Sequence, residues 1–150
     1  MSKIYRCALL LLLLAIAACQ STDPQVYAKA KIRENITNIE LAFNLSDLSG
    51  IMENYHEQFR QEEDGYPLDK ADMEARWLER LETYAELTFR AVEIELMGNY
   101  WAVVSCEMVF FDGEEQYIFY EPSAENGDIS YFFKDLDGSW KICGRDFSEF

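Results

Sequence analysis

Along the first half of the chain, apolar residues recur every three or four positions, which is the period of an amphipathic helix. A first helix is predicted to begin at Asp23-Pro24, because aspartate caps helix N-termini and proline is tolerated in the first turn. A second is predicted from Ser46-Asp47 and a third from Asp69, with a polar loop over 61–67 before the third. The apolar stripes comprise Ala28, Ile32, Ile36, Ile39 and Phe43; Leu48, Ile51, Tyr55 and Phe59; and Met73, Trp77, Leu81 and Tyr84.

From about Leu87 the apolar period changes from that of a helix to that of a strand. The longest strand candidate covers 100–111, where the even-numbered residues from Ala102 to Phe110 are all apolar. Other strands are predicted over 92–96, 116–121, 129–136 and 140–144. Because helices come first and a run of antiparallel strands follows, the pattern predicts an α+β fold with the helices packed on one side of a sheet.

Residues 1–18 have the three parts of an export signal. Lys3 and Arg6 form a basic start, the run 7–18 is uncharged, and small residues precede Cys19. The uncharged run has twelve residues, whereas crossing a hydrocarbon core of about 30 Å takes about twenty. A cleaved signal peptide is therefore favoured over a transmembrane helix.

The end of this signal, Ile16-Ala17-Ala18-Cys19, resembles the bacterial lipobox. The resemblance implies that Cys19 is diacylated on sulfur and anchors the protein to a membrane, which two acyl chains suffice to do. Residues 19–23 would then be a lipid-anchored tether, and 24–150 the folded domain. Gln20 after the cysteine resembles the signal for outer-membrane delivery, which predicts an exported protein that faces the periplasm. The alternative is an ordinary secretory signal without a lipid.

The charge of the chain limits its partners. The sequence has 13 lysines and arginines against 28 acids, a net charge of −15, and loss of the two basic residues in 1–18 makes it −17 (−15 − 2). Such a surface repels phosphate backbones and anionic lipid heads, which excludes nucleic acid as a partner. With 49% hydrophobic residues the chain can nevertheless bury a core, so it is not a disordered protein.

Processing also changes the number of available cysteines. Cys7 leaves with the signal and Cys19 is the predicted lipid site, so Cys106 and Cys143 remain in the domain. An exported protein meets an oxidising compartment, which permits a disulfide between them. Two separate buried thiols are the alternative, because cysteine in a strand often serves as a small hydrophobic residue.

Short motifs near both ends of the domain carry a family resemblance. Phe43-Asn44-Leu45-Ser46-Asp47-Leu48 is followed by Ile51-Met52 and Tyr55, and Asp137-Gly138-Ser139-Trp140-Lys141-Ile142 is followed by Phe147-Ser148. Over about residues 24–148, this order resembles the nuclear transport factor 2-like superfamily, which includes the SnoaL-like domains and ketosteroid isomerase. The resemblance implies a cone-shaped fold, in which a curved antiparallel sheet wraps against the N-terminal helices and often leaves a pocket at its open end.

Aromatic residues decide whether such a pocket is open. The candidates for its lining are Trp77, Tyr84, Trp101, Phe119, Tyr131, Phe133 and Trp140. Filling of the cone by these rings is the favoured interpretation, because aromatic residues at helical and strand spacing usually belong to a core. A cavity for an apolar ligand is the alternative.

Few residues point to catalysis. His56 is the only histidine and is expected on an exposed helical position, so no metal site and no cofactor are predicted. The resemblance to ketosteroid isomerase implies a carboxylate and phenols in the cone, for which the candidates are Glu107, Asp146 and Tyr55. Asp146 lies where many SnoaL-like proteins carry a histidine, which removes support for a histidine-dependent reaction.

These observations favour a lipid-anchored, non-catalytic domain that binds a small apolar ligand or a protein partner. One alternative is a SnoaL-like isomerase, hydrolase or cyclase that uses a carboxylate in the pocket. The other is a structural module that forms a homodimer through a face of its sheet.

Overall fold

A long helix begins the part of the chain that the computed structural model describes, residues 23–119 and 128–148. In chain order the elements are α1 (Pro24–Asn44), α2 (Leu48–Met52), β1 (Gln61–Glu63), β2 (Tyr66–Leu68), α3 (Lys70–Thr83), β3 (Glu86–Met97), β4 (Trp101–Phe111), β5 (Gln116–Phe119), β6 (Asp128–Lys134) and β7 (Trp140–Ile142). The predicted export signal, Cys19 and the tether up to residue 22 lie outside the described residues, as does the predicted end of the 116–121 strand.

Aspartate caps confirm the three predicted helix starts. Asp23 and Asp47 each accept a hydrogen bond of 2.9 Å from a backbone N–H of the turn that follows. At the start of α3, Asp69 and Asp72 form a reciprocal capping box, in which the side chain of each residue accepts a hydrogen bond from the backbone N–H of the other. The local sequence therefore specifies where each helix begins.

The second helix is much shorter than its apolar stripe predicts. α2 ends at Met52, and the chain then runs beside β7. The His56 N–H donates to the Ile142 carbonyl at 2.8 Å, and the Ile142 N–H donates to the Asn54 carbonyl at 2.8 Å. Tyr55 is buried as expected, but pairing with a sheet edge replaces the helical hydrogen bonds, which is a long-range effect that local periodicity does not contain.

The predicted loop over 61–67 is instead a small hairpin of β1 and β2. It turns at Asp64-Gly65, where both residues have positive φ angles of 51° and 82°. Gly65 adopts such an angle without steric cost, which permits the tight turn. The hairpin leads directly into the cap of α3.

The main sheet has five antiparallel strands in the order β3-β4-β6-β7, with β5 also paired to β4. One edge of β4 is paired with β3, and its other edge is shared between β6, opposite 101–106, and β5, opposite 108–111. A bulge in β3 between Arg90 and Glu93 contains Ala91 at a φ of 50°. Bulges increase local bend and twist, so this one curves the sheet. The predicted α+β class is confirmed.

Helix α1 is attached to β3 through side chains that bond to the strand backbone. The Asn44 amide donates to the Leu87 carbonyl at 3.1 Å and accepts from the Leu87 N–H at 2.8 Å. The Glu40 carboxylate accepts from the Phe89 N–H at 2.8 Å. These bonds fix the angle at which the long helix crosses the sheet.

The two faces of the sheet have different coverings. The even-numbered residues of β4 between Ala102 and Phe110 are buried in the main core against the helices, so this apolar face is not available to a dimer partner. The opposite face carries a smaller cluster, in which Phe147 from the C-terminal segment packs with Phe133 and Cys143. We call the face against the helices the inner face and the opposite one the outer face, and each candidate residue of a strand lies on one or the other.

Cys106 and Cys143 are buried, are not joined in a disulfide and lie on opposite faces of the sheet. Cys106 belongs to the main core, whereas Cys143 lies in the outer cluster and its Sγ is 3.3 Å from the Tyr131 carbonyl oxygen, to which it donates. Burial raises the pKa of Cys143 to about 12 from its ordinary 9.0. The structure therefore has the two buried thiols of the alternative interpretation.

We expect Cys143 to resist alkylation in the folded protein, because the thiolate is the reactive form. Iodoacetamide at about pH 8 should leave this residue unmodified without denaturant, and should alkylate both cysteines completely in urea, as read by peptide mass spectrometry. Equal rates of modification with and without urea would contradict the burial. The raised pKa of Cys143 also makes the free energy of unfolding depend on pH. Its contribution to stability is fully present below about pH 9 and decreases as the pH rises toward 12.

Candidate functional site

A cavity of about 90 Å³ lies inside the cone, between the helices and the inner face of the sheet. Its walls are mainly apolar and come from α1, α3, β4 and β6. They include Ile36, Ile39, Trp77, Val104, Met108 and Phe132. Ligand cavities for drug-sized molecules are usually about 300–1,000 Å³, so this one has room only for a small molecule or part of a larger one.

Tyr55 and Trp77 form a buried polar contact at the cavity wall. The Trp77 Nε1–H donates to the Tyr55 hydroxyl at 2.8 Å. A buried indole N–H needs an acceptor, and the register of Tyr55 beside β7 supplies it. In the structure, the hydroxyl of the catalytic candidate Tyr55 therefore serves as the hydrogen-bond acceptor of a buried tryptophan.

The mouth of the cavity is polar. The Glu63 carboxylate is 2.7 Å from the Arg76 guanidinium, and its other oxygen accepts from the Gln61 amide at 2.9 Å. Hydrogen bonding to Arg76 lowers the pKa of Glu63 below its ordinary value. All three side chains are part-exposed, so this network lies at the opening rather than in the interior.

Arg80 lies beside this network in a setting of aromatic rings. Its guanidinium carbon is 4.9 Å from the ring centre of Trp77, 5.6 Å from that of Phe110 and 6.0 Å from that of Phe119. Cation–π attraction at such distances fixes the position of a guanidinium. Arg80 also lines the cavity.

Sequence reasoning missed the four residues of the mouth: Gln61, Glu63, Arg76 and Arg80. For the two arginines a signal exists, because their spacing of four places them on one side of α3, next to Trp77. For Gln61 and Glu63 there is none, since their position depends on the unpredicted hairpin.

The structure distributes the predicted lining residues over three places. Trp77 lines the inner cavity, and Tyr131 borders it from β6, although strand alternation directs the Tyr131 side chain to the outer cluster. Tyr84, Phe119 and Trp140 pack in the main core, where they help to fill the cone. Trp101 and Phe133 belong to the outer cluster, with Tyr131 packed against it, because the alternation along β4 and β6 turns them away from the cone. These two are a correction to the predicted lining.

The structure does not bring the candidate acids together in the cavity. Glu107 lies between Cys106 and Met108, which both line the cavity, so strand alternation places it on the outer face, in register with Arg90. Asp146 is exposed after β7, where its carboxylate accepts from the Glu62 N–H at 2.7 Å. Both placements correct the expectation of a shared catalytic pocket.

His56 lies in a second, open groove of about 950 Å³ on the outside, between the 53–58 segment and the β6–β7 hairpin. Its ring packs edge-on to Phe147 with centres 4.7 Å apart, and its Nδ1 accepts from the Gln58 N–H at 3.0 Å. Its Nε2 is 4.0 Å from the Asp135 carboxylate. The expected exposed helical histidine is therefore a part-buried residue of the outer cluster.

Within 23–119 and 128–148, no group of three or more histidine, cysteine or acidic side chains is arranged to hold a metal ion. In the same residues, no helix combines the length and apolarity needed to cross a membrane.

Comparison with known proteins identifies the fold. No protein-family model matches the sequence, and no curated protein matches it significantly. Among solved structures, an NTF-2 like protein of unknown function from Shewanella oneidensis superposes with a TM-score of 0.61 at 21% identity, over 78% of this chain and 95% of that one.

Two further similar structures are of proteins named after enzymes. A putative scytalone dehydratase from Novosphingobium aromaticivorans has a TM-score of 0.56 at 11% identity, over 81% of this chain and 83% of that one. A ketosteroid isomerase-like protein from Erwinia carotovora atroseptica has a TM-score of 0.54 at 17% identity, over 77% of this chain and 90% of that one. At such identities the likeness is one of fold.

Proposed function

We propose that this chain, whose domain has the nuclear transport factor 2-like fold, is a non-catalytic binding protein that holds a small apolar ligand in its cone. Acylation of Cys19 would tether it to the outer membrane, facing the periplasm. The observation that carries the binding function is the inner cavity, with apolar walls and a single carboxylate, Glu63, among the described residues that line it.

The state of Glu63 favours binding over acid–base catalysis. A general acid or base works best with a pKa near the operating pH, which in a carboxylate requires a raised value. Here the Arg76 guanidinium and the Gln61 amide hold both oxygens, and the pKa is lowered. Glu107 and Asp146 lie outside the cavity, so the residues that the structure describes offer the rival isomerase, hydrolase or cyclase no acid with a raised pKa there.

The binding function predicts that filling the cavity abolishes ligand uptake. Butyramide, a neutral probe with a short apolar tail, should shift the methyl NMR signals of Ile36 and Met108 in the unmodified protein. Cys106→Leu, which adds volume at the cavity wall, should remove these shifts. Val103→Leu is the matched control, because it adds a methylene to an apolar side chain on the outer face of the same strand.

Absence of any butyramide shift at the cavity methyls in the unmodified protein would contradict the binding function. Unchanged shifts in a folded Cys106→Leu protein would contradict the location. A thermal melt of each variant establishes that it is folded before the titration is interpreted.

The lipid anchor predicts complete dependence of palmitate labelling on Cys19. Cells that express the full chain should incorporate radioactive palmitate into it, and Cys19→Ala should abolish the label. Cys7→Ala is the matched control, because Cys7 lies in the predicted signal and its loss should leave the label unchanged. Labelling of the Cys19→Ala protein, or no labelling of the unmodified chain, would contradict the anchor.

A further inference from the structure

Arg80 is a cation at the cavity whose guanidinium has no hydrogen-bond acceptor among the described residues. It contacts the rings of Trp77, Phe110 and Phe119 and interacts electrostatically with Glu63. Glu63 is the one acid among the described lining residues, and its oxygens are hydrogen-bonded to Arg76 at 2.7 Å and to Gln61 at 2.9 Å, so that its interaction with Arg80 is electrostatic only. Within the described part of the chain, the five N–H donors of Arg80 are thus left to solvent or to a ligand.

This arrangement differs from the rest of the protein surface. The chain carries a net charge of −15, yet the charges that line the cavity are Arg76, Arg80 and Glu63, which sum to +1 (2 − 1) among the described residues. The aromatic rings attract the guanidinium without adding negative charge, and Glu63 is the single acid opposite two guanidinium groups among the described lining residues. A guanidinium with unused hydrogen-bond donors next to an apolar cavity is suited to an anion with an apolar part, since guanidinium geometry matches a carboxylate.

We infer that the ligand of the inner cavity is a small monocarboxylate, whose carboxylate pairs with Arg80 at the mouth and whose short apolar tail enters the cone. The inference rests on the proposed binding function and names its ligand class. The local charge of +1 suits a single negative charge, because Glu63 opposes a second one. The volume of about 90 Å³ limits the tail to a few carbon atoms, since an engineered cavity that binds benzene has about 150 Å³.

A pair of isosteric probes tests the charge requirement. Butyrate and butyramide have the same carbon chain, but only butyrate is an anion at neutral pH. We expect butyrate to bind the intact protein at least about tenfold more tightly than butyramide, as measured by NMR titration, which is the range for one charge-assisted hydrogen-bonded contact. Inorganic phosphate, which lacks a tail, should not shift the cavity methyls.

Substitution of Arg80 assigns the effect to this residue. Arg80→Gln should lower butyrate affinity to that of butyramide and leave butyramide affinity unchanged. Arg90→Gln is the matched control: it removes the same charge from an exposed position on the outer face, so both affinities should stay as in the unmodified protein. This control also accounts for the change in net charge.

The outcomes separate the inference from the proposed function. Equal affinities for butyrate and butyramide in the intact protein would overturn the inference that the ligand is a carboxylate, and would leave the cavity as the binding site. Absence of binding by both probes would overturn the binding function together with the inference. Loss of the butyrate preference in Arg90→Gln would assign it to net charge, and would overturn the role of Arg80.

A measurement on the unmodified protein keeps the test valid if Arg80→Gln does not fold. The Nε–H NMR signal of Arg80 should shift on addition of butyrate and stay in place with butyramide. A signal unaffected by saturating butyrate would overturn the contact.

Discussion

Gly144→Ala should lower the free energy of unfolding by about 3 kcal/mol or more, which is the sum expected for a left-handed alanine and a close steric contact. Gly144 has a φ of 79°, and an added Cβ would lie 2.1 Å from the carbonyl oxygen of Arg60. Two hydrogen bonds hold that oxygen in position: it accepts from the Asp146 N–H at 3.1 Å, and the Arg60 N–H donates to the Cys143 carbonyl at 3.0 Å. Urea denaturation monitored by circular dichroism measures the loss.

Gly98→Ala is the matched control for this prediction. Gly98 has a similar φ of 77°, but nothing lies within 4 Å of its added Cβ. Its cost should be the backbone strain alone, about 1–2 kcal/mol. If the two variants lose the same stability, the close approach between Gly144 and Arg60 does not contribute.

Phe110→Ala should cost about 3–5 kcal/mol, the usual range for a buried phenylalanine. Phe110 is fully buried, and its ring centre lies 5.4 Å from Phe43, 4.8 Å from Tyr84 and 5.1 Å from Phe119. Its removal leaves a cavity that the surrounding rings, on α1, on β5 and directly after α3, cannot all relax to fill. The free energy of unfolding in urea is again the measurement.

Phe111→Ala separates the effect of burial from that of losing a phenylalanine. Phe111 is the next residue of β4, part-exposed on the other face of the sheet, so its loss should cost about 1 kcal/mol. A larger loss at Phe111 than at Phe110 would mean that the outer face, and not the cone, supplies most of the stability.

The elements that the sequence predicts well are those whose hydrogen bonds are local or whose burial follows one period. The caps at Asp23, Asp47 and Asp69 and the even face of β4 are of this kind. The segment 53–60 is not, because its partner is β7, some eighty residues later in the chain. The β1–β2 hairpin also escaped prediction, since its short strands contain no apolar alternation.

The site was harder to predict than the fold, because it depends on which face of a strand meets the cavity. Alternation next to Cys106 and Met108 would have been enough to place Glu107 outside the cone. Asp146 binds the backbone of Glu62, a contact between distant segments that no local pattern indicates. The Arg80 site needed Phe110 and Phe119, from two other elements, to converge on α3.

The bonds from α1 to β3 also affect how the protein behaves at high concentration. β3 lies at the end of the sheet order, and exposed edge strands are templates for pairing with another chain. Asn44 occupies both the N–H and the carbonyl of Leu87, Glu40 occupies the N–H of Phe89, and the bulge at Ala91 interrupts the remaining edge. The helix thus blocks the strand from adding a neighbour, which protects the sheet from edge-to-edge aggregation.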